Sequence, residues 1–273
     1  MIYRSKAPLR IGLAGGGTDV SPYCERYGGA VLNATVNLYA RASLRKTKKG
    51  VVSFFSADKQ IHRTYPAGTF VPAEPGTELH AGVYNYILRN HPSVPLSVEL
   101  TTFVDVPAGS GLGTSSALVV AILGAFAEMH DLPMGEYDLA RCAFEIERMD
   151  LNLAGGRQDQ YAATFGGFNF MEFQTNGNVI VNPLRVKERY LDELAHNLLL
   201  YYTSTSRDSA TIIRQQSMGI EMNHPEQIEA THRLKEQAFG MKEALLKGNL
   251  DRIGELLDFG WSNKKRIAEG ITT

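Results

Sequence analysis

Three glycines stand within five residues just before a long apolar segment, in the stretch VDVPAGSGLGTSSALVVAILGAF at residues 104–126. Glycine lets a backbone take positive φ angles and come close to a ligand. A helix that begins directly after such a turn directs its free N–H groups, and the positive end of its dipole, at an anion. The stretch therefore predicts either a phosphate-binding loop or a structural turn that holds no ligand.

The spacing of these glycines disfavours the two commonest phosphate loops. Gly109, Gly111 and Gly113 give G-x-G-x-G, and Thr114 stands where a dinucleotide fingerprint has its last glycine. The chain has no Gly-Lys pair, which a P-loop requires. Four hydroxyl residues surround the helix start, whereas capping explains only one of them, so the others are free to bind phosphate oxygens or Mg²⁺. They are Ser110, Thr114, Ser115 and Ser116.

Carboxylates that could take part in chemistry come later in the chain. Asp159 is the strongest candidate, because it lies in a short polar island, GGRQDQ, before apolar sequence. Glu145 and Glu147 belong to a predicted helix, EYDLARCAFEIERMD, where carboxylates are more commonly just solvated.

Apolar periodicity predicts an α+β fold rather than regular βαβ alternation. Strand-like alternation covers LRIGLA, residues 29–46, VVSFF and LSVELTTFVDVP, and NLLLYYTS is typical of a buried strand. Helical spacing covers LHAGVYNYILRN, the segment from Ser115 onward and most of the chain after Asp208. The candidate residues thus fall at strand ends, helix starts and a loop.

Composition excludes several function classes. The net charge of −1 over 273 residues gives no electrostatic case for binding DNA, RNA or an anionic membrane. Cys24 and Cys142 stand far apart and predict neither a disulfide framework nor a zinc site. No segment has the character of a signal peptide or a membrane span, so we expect a cytoplasmic protein.

Three segments resemble the GHMP kinases, the superfamily of galactokinase, homoserine kinase, mevalonate kinase and phosphomevalonate kinase. Pro107–Ala117 resembles the second family motif with an additional threonine, and KAPLRIGLAGGGTDVSPY at residues 6–23 resembles the first. The third segment is AFEIERMDLNLAGGRQDQYAATFGG at residues 143–167. The sequence GGGTD is most similar to that of the heptose-phosphate kinase branch and to that of the kinase part of L-fucokinases.

This resemblance implies roles for the phosphoryl-transfer residues. Asp159 would accept the proton of the sugar hydroxyl, and Arg10 would lie near the transferred phosphate and keep that aspartate ionised. Glu147 and Ser115 would ligate Mg²⁺, with Ser116 as the alternative because the extra threonine blurs the register. The residues expected to bind the phosphates of ATP are Pro107, Gly109, Ser110, Gly111, Leu112, Gly113, Thr114, Ser115 and Ser116.

The resemblance also implies a sugar side of the site. Asp19 would bind sugar hydroxyls, with Thr18 and Gly156 beside it. Arg207, in YYTSTSRDSATIIRQQ, is either a surface residue at a helix start or a ligand for a phosphate that the substrate already carries. The likeness to heptose-phosphate kinases favours the second interpretation.

The implied fold has two lobes: a ribosomal-S5-like ATP-binding lobe over residues 1–190 and a ferredoxin-like lobe over 191–273. GHMP kinases carry a third glycine-rich motif near the C-terminus, and this sequence has no such motif before it ends at Thr273. The sequence therefore predicts an incomplete second lobe, either because the chain is truncated, which we favour, or because the lobe is unusual.

The expected activity is an ATP- and Mg²⁺-dependent sugar kinase. The expected substrate is D-glycero-D-manno-heptose 7-phosphate, phosphorylated on its anomeric hydroxyl to give the 1,7-bisphosphate. L-fucose or galactose as substrate, and a non-catalytic relative that binds sugar or nucleotide, remain alternatives, and a homodimer is left open. An NAD-dependent oxidoreductase is disfavoured by the glycine spacing.

Overall fold

Strands dominate the first hundred residues and helices dominate the last hundred. The computed structural model describes residues 1–202, 209–268 and 271. The strands are β1 (Ile2–Ala14), β2 (Gly29–Lys46), β3 (Val51–Ser56), β4 (Ile61–Pro66), β5 (Val98–Val104), β6 (Phe168–Phe173) and β7 (Val179–Pro183). The α-helices are α1 (Tyr23–Tyr27), α2 (Glu78–Asn90), α3 (Thr114–His130), α4 (Glu136–Glu145), α5 (Gln158–Phe165), α6 (Glu188–Asn197), α7 (Ser209–Glu221), α8 (Pro225–Lys247) and α9 (Leu250–Lys264). The expected α+β class is confirmed.

The chain forms two compact units, and neither is continuous in sequence. Unit 1 contains Met1–Leu9, Val36–Leu153 and Asp159–Thr164. Unit 2 contains Arg10–Thr35, Ala154–Gln158 and Phe165–Thr273. The bounds of these units differ from those of the two lobes expected from the sequence. The expected lobe boundary near residue 190 stays a prediction.

Unit 1 is a sheet covered by helices. Its strands follow the order β4-β3-β5-β2, with β3 and β5 parallel and the other neighbours antiparallel. Alternate residues of β5 point into the core, as the sequence pattern predicted. Helix α3 is buried on nearly all sides from Ser116 to Leu123. A helix enclosed in this way gives the loop before it a fixed support.

Unit 2 combines three antiparallel strands with a pair of long helices. The N-terminal part of β2 pairs with β6, and β6 pairs with β7. Helices α8 and α9 pack their apolar faces into a core with Leu32 and Phe170 of these strands. Among the helices that the structure describes, none is long and apolar enough to cross a membrane.

The buried strand predicted over NLLLYYTS is wrong for its described part, residues 197–202. This segment leaves α6 without forming a strand, and Leu199 and Tyr201 are 86% and 79% exposed. A run of apolar residues predicts burial only if another element covers it, and no described strand pairs with this run. The rest of the predicted strand, from residue 203, lies outside the described residues.

Candidate active site

The glycine loop of unit 1 connects β5 to α3 and depends on the conformational freedom of glycine. Gly109, Gly111 and Gly113 have φ angles of +78°, +77° and +74°. Residues other than glycine rarely adopt these φ angles, so each of the three positions favours glycine. Leu112 packs partly against the core of unit 1 and ties the loop down, whereas Pro107 remains exposed.

Helix α3 begins without a side-chain cap. Its N-cap residue is Gly113, and no side chain accepts a hydrogen bond from the first turn. The hydroxyl groups at the helix start are therefore not used for capping, and the N–H groups of the first turn remain available to an anion. The Ser110 Oγ in the loop is shielded from solvent and lacks a hydrogen-bond partner among the described residues. A phosphate group at this position would satisfy both features.

A buried carboxylate lies beside the first turn of α3. Glu147 is 1% exposed, and its Oε2 accepts a hydrogen bond of 2.6 Å from Ser116 Oγ. Gln160 Nε2 donates to the same carboxylate oxygen and, at 3.1 Å, to Ser116 Oγ. The structure thus pairs Glu147 with Ser116, the alternative metal ligand, whereas Ser115 is exposed on the same helix turn.

The electrostatic surroundings of Glu147 disfavour a negative charge. Burial is the main cause that raises the pKa of its carboxyl above the usual value, and the charge of Asp159 raises that pKa further. Arg148 opposes the shift, with its Nη1 3.8 Å from Glu147 Oε1. A bound cation would relieve the cost of placing the buried Glu147 carboxylate near a second carboxylate.

A π-helical turn places Glu147 in this position. Helix α4 ends at Glu145, and residues Ile146–Asp150 form a π-turn in which Leu151 N donates to Ile146 O at 3.0 Å. The sequence predicted one uninterrupted helix here. The wider turn changes the direction of the side chains that follow α4, and such turns occur frequently at functional sites.

The donor set of unit 1 fits a magnesium ion that arrives with a nucleotide. No described group of three or more His, Cys, Asp or Glu residues could hold a metal alone. Mg²⁺ is commonly held by one or two protein ligands together with phosphate oxygens and water. Glu147 and the two serines of the α3 start supply such oxygens, and the buried Gln160 Oε1 lacks a partner among the described residues.

The predicted sugar-side aspartate, Asp19, is an anchor within unit 2. It is 1% exposed, and its Oδ2 accepts hydrogen bonds from Arg157 N at 2.9 Å and Gln158 N at 3.0 Å. Its Oδ1 accepts from Gly17 N at 3.2 Å and Gln158 Nε2 at 3.3 Å. These bonds hold the two residues that directly precede Asp159 in the chain.

Gly156 and Thr18 support the same arrangement. A Cβ on Gly156 would lie 1.9 Å from Asp19 Oδ2, so only glycine fits there. Thr18 is fully buried, and its Oγ1 donates to Ala30 O at 2.9 Å and accepts from Ala30 N at 3.0 Å. Both residues fix the position of the loop, and their contact with a substrate stays a prediction.

Arg10 lines a cavity of about 280 Å³ within unit 2. Gln158 and Lys264 supply further polar groups to its wall, and Trp261 supplies an aromatic one. Asp159 lies in unit 1, in the first turn of α5, where its charge reaches Glu147. Arg207 lies outside the described residues.

Comparisons with known proteins identify the family. Residues 78–167 match the family described as "GHMP kinases N terminal domain". The chain is 46% identical, over 98% of its length and 79% of the relative's, to the "D-glycero-alpha-D-manno-heptose 7-phosphate kinase" of Campylobacter jejuni. The chain belongs to the GHMP kinase family.

Solved structures agree with this GHMP kinase assignment. One described as a "D-glycero-D-manno-heptose 1-phosphate kinase" from Bacteriodes thetaiotaomicron superposes with a TM-score of 0.85 at 46% identity. It is matched over 99% of this chain and 81% of its own. Galactokinase of Lactococcus lactis shares the fold, with a TM-score of 0.70 at 16% identity. It is matched over 97% of this chain and 75% of its own. The expected fold family and the expected enzyme class, a sugar kinase, are confirmed.

Sequence reasoning missed three functional candidates of this GHMP kinase. Gln158 and Gln160 were noticed only as neighbours of Asp159, yet they hydrogen-bond Asp19 and Glu147 respectively. The signal was the polar island itself, in which an amide stands on each side of the aspartate. Lys264 had no local signal, because it stands at the polar end of an amphipathic helix, directly before Lys265 and Arg266.

Proposed function

We propose that this kinase transfers the γ-phosphoryl group of ATP to the anomeric hydroxyl of D-glycero-D-manno-heptose 7-phosphate. The observation that carries the reaction is the uncapped start of α3, which lies beside the buried Ser116–Glu147 pair. Phosphoryl transfer depends on positioning and charge neutralisation, and these elements provide both. The heptose substrate is supported by the 46% identity to the Campylobacter jejuni relative.

The phosphate side of the reaction belongs to unit 1. The loop from Pro107 to Gly113 and the first N–H groups of α3 would bind the phosphates of ATP. Glu147 and Ser116, with the exposed Ser115 as a further hydroxyl, would hold Mg²⁺. When bound, the metal neutralises charge that develops on the phosphoryl oxygens. The Gln160 amide keeps the Glu147 carboxylate oriented through its hydrogen bond.

Asp159 and Arg10 have the proposed catalytic roles. Asp159 would accept the proton of the attacking sugar hydroxyl, and a positioned base of this kind contributes roughly 10²- to 10⁴-fold to a rate. Arg10 would balance charge on the transferred group. Asp19 would act mainly by fixing the backbone of Arg157 and Gln158, since its carboxylate oxygens are already hydrogen-bonded.

Two alternatives share parts of this site. L-fucose is favoured as a different sugar by the 26% identity to the "L-fucokinase/L-fucose-1-P guanylyltransferase" of Bacteroides fragilis, which the chain matches over 97% of its length and 30% of the relative's. Galactose is the other candidate sugar. A non-catalytic protein that binds nucleotide and sugar would keep the loop and the pocket without turnover.

The test is ADP release from Mg-ATP with heptose 7-phosphate, L-fucose and galactose. We expect heptose 7-phosphate to be preferred, and Asp159→Asn to lower kcat by about 10²- to 10⁴-fold. Asp192→Asn, at an exposed position on α6, is the matched control and should retain activity. Preference for another sugar would identify that sugar as the substrate. Full activity of Asp159→Asn would show that Asp159 is not the catalytic base. Nucleotide binding without turnover on any sugar would favour the non-catalytic alternative.

A further inference from the structure

A lysine at the end of α9 reaches the glycine-rich loop of unit 2. Lys264 Nζ donates a hydrogen bond of 2.8 Å to Gly16 O. The ammonium group also lies close to the next residue, because a Cβ on Gly17 would come within 3.0 Å of it. Lys264 is partly buried, so its position is set by the fold rather than by free rotation in solvent.

The positive charge of Lys264 is not balanced by an ion pair. Within the described part of the chain, no carboxylate lies within 4.0 Å of its Nζ. Burial lowers the pKa of Lys264 to about 8, and the more distant charge of Asp19 opposes that shift. The Asp19 oxygens accept four hydrogen bonds from the loop and from Gln158. A cation placed in this way is costly unless a ligand supplies the missing negative charge.

The cavity next to Lys264 has the character of a pocket for an anionic, hydroxyl-bearing molecule. Arg10 also lines it, and its described lining contains no carboxylate. Gly16 opens toward it, because a Cβ there would meet only Gln158 Nε2, at 3.9 Å. Trp261 adds an aromatic surface. Small-molecule sites combine such apolar walls with a few placed polar groups.

One acceptor in the same wall is unused. Gln158 donates its Nε2 to Asp19, which fixes the orientation of the amide. Its Oε1 is shielded from solvent and lacks a hydrogen-bond partner within the described chain. Buried polar atoms are nearly always paired, so this oxygen fits a hydroxyl donor on a ligand. The wall therefore offers a cation for an acid group and an acceptor for a hydroxyl.

We propose that Lys264 binds the phosphate group that the sugar already carries, and thereby selects phosphorylated over unphosphorylated sugars. This inference rests on the proposed function, since it takes the cavity of unit 2 to be the sugar pocket. A phosphate dianion offers oxygens to the two N–H bonds of Lys264 that Gly16 does not use. The same chemistry could come from the transferable phosphate of ATP, so the experiment must separate the two sources.

The test is calorimetric binding of heptose 7-phosphate, unphosphorylated heptose and Mg-ATP, each alone, to the unmodified chain and three variants. Lys264→Met should weaken binding of heptose 7-phosphate by about 10- to 100-fold, as expected for a lost hydrogen bond between charged groups. Binding of unphosphorylated heptose and of Mg-ATP should change less than about twofold. Lys265→Met is the matched control, because Lys265 is exposed beside the Trp261 ring, and it should bind all three as the unmodified chain does.

A third variant separates charge from structural support of the loop. Lys264→Arg keeps the cation at all working pH values. The affinity of the unmodified chain for heptose 7-phosphate should fall as the pH rises above about 8, because the ammonium then loses its proton. Asp19 and Arg10 are the other charged groups at this place. The decline should be absent in Lys264→Arg.

Several results would overturn the inference. An equal loss of affinity for phosphorylated and unphosphorylated heptose would mean that Lys264 only supports the Gly16 loop. Weaker Mg-ATP binding with unchanged heptose 7-phosphate binding would assign the lysine to the transferred phosphate. Failure of the unmodified chain to bind heptose 7-phosphate would also refute the inference. Because the readout is binding, absence of turnover would contradict the proposed function and leave this inference standing.

Discussion

The two units handle charge in opposite ways. In unit 1 a buried carboxylate, Glu147, is surrounded by donors and lies near a second carboxylate, Asp159. In unit 2 a partly buried cation, Lys264, lies against backbone carbonyl oxygen in a cavity lined by another cation, Arg10. The first arrangement is suited to a metal ion, and the second is suited to an anion.

This difference also explains why one region is easier to find in sequence than the other. The loop and the start of α3 occupy consecutive residues, so their chemistry appears as a motif. The cavity of unit 2 is built from residues around 10–16, 158 and 234–264. No local pattern connects such distant positions, and only the folded chain brings Lys264 to Gly16.

Among the variants that compare the two units, the largest effect is expected from replacing the buried carboxylate of unit 1. Glu147→Gln keeps the shape of the side chain and removes a proposed Mg²⁺ ligand, so kcat should fall by about 10²- to 10³-fold. Higher Mg²⁺ concentration should recover part of the activity. Glu145→Gln, two residues earlier and partly exposed, is the control. Steady-state rates across a Mg²⁺ titration make the comparison, and equal loss in both variants would refute the assignment.

The same variant should change stability in the opposite direction. Because the folded-state pKa of Glu147 is raised, its ionisation opposes folding, and stability is lost as the pH rises from the unfolded value through the raised folded one. Glu147→Gln should remove this loss and raise Tm at neutral pH. Melting curves between pH 4 and 8 measure it. A lower Tm at pH 7 would mean that the carboxylate stabilises the fold.

The next effect concerns the anchor of unit 2. Asp19→Asn replaces one acceptor oxygen by an amide group that faces N–H donors. We therefore expect the free energy of unfolding to fall by about 2 kcal/mol. Since the change disturbs the Gly156–Gln158 backbone, the KM for the sugar should rise while the KM for ATP stays within about twofold. If ATP and sugar are affected equally, the separation of roles between the units is contradicted.

A smaller effect is expected from strain in the phosphate loop. Gly111→Ala and Gly50→Ala both place a Cβ in open space at φ angles of +77° and +66°. Each should lower the free energy of unfolding by about 1 kcal/mol, because alanine is strained at a positive φ angle. Only Gly111→Ala should weaken ATP binding, by about tenfold, because only that glycine belongs to the proposed site. Equal nucleotide affinities in the two variants would argue against a phosphate-binding loop.

Much of unit 1 could be predicted from sequence. The alternation in β5 and the glycine turn before α3 follow directly from residue types, and the family resemblance supplied Glu147 and Asp159. The choice between Ser115 and Ser116 could not be made, because it depends on which side of the first helical turn faces Glu147. The π-turn was missed as well, since one widened turn does not alter the apolar spacing of the helix around it.

Prediction was weaker in unit 2 because its features depend on tertiary contacts. Sugar binding by Asp19 stays a prediction from the motif, and the motif does not reveal that the Asp19 carboxylate is hydrogen-bonded to the loop at 157–158. The segment at 199–202 has the composition of a buried strand and lies exposed. Burial of a short apolar run depends on its neighbours, which the run itself does not encode.

The most direct test of the central claim is ³¹P NMR of the product formed from heptose 7-phosphate and Mg-ATP. The account predicts ADP and a heptose bisphosphate whose new phosphate couples to the anomeric proton, and Asp159→Asn should not accumulate this product on the same timescale. A new phosphate at another carbon would contradict the proposed hydroxyl. An unchanged spectrum, with Mg-ATP and heptose 7-phosphate both bound, would contradict the kinase reaction itself.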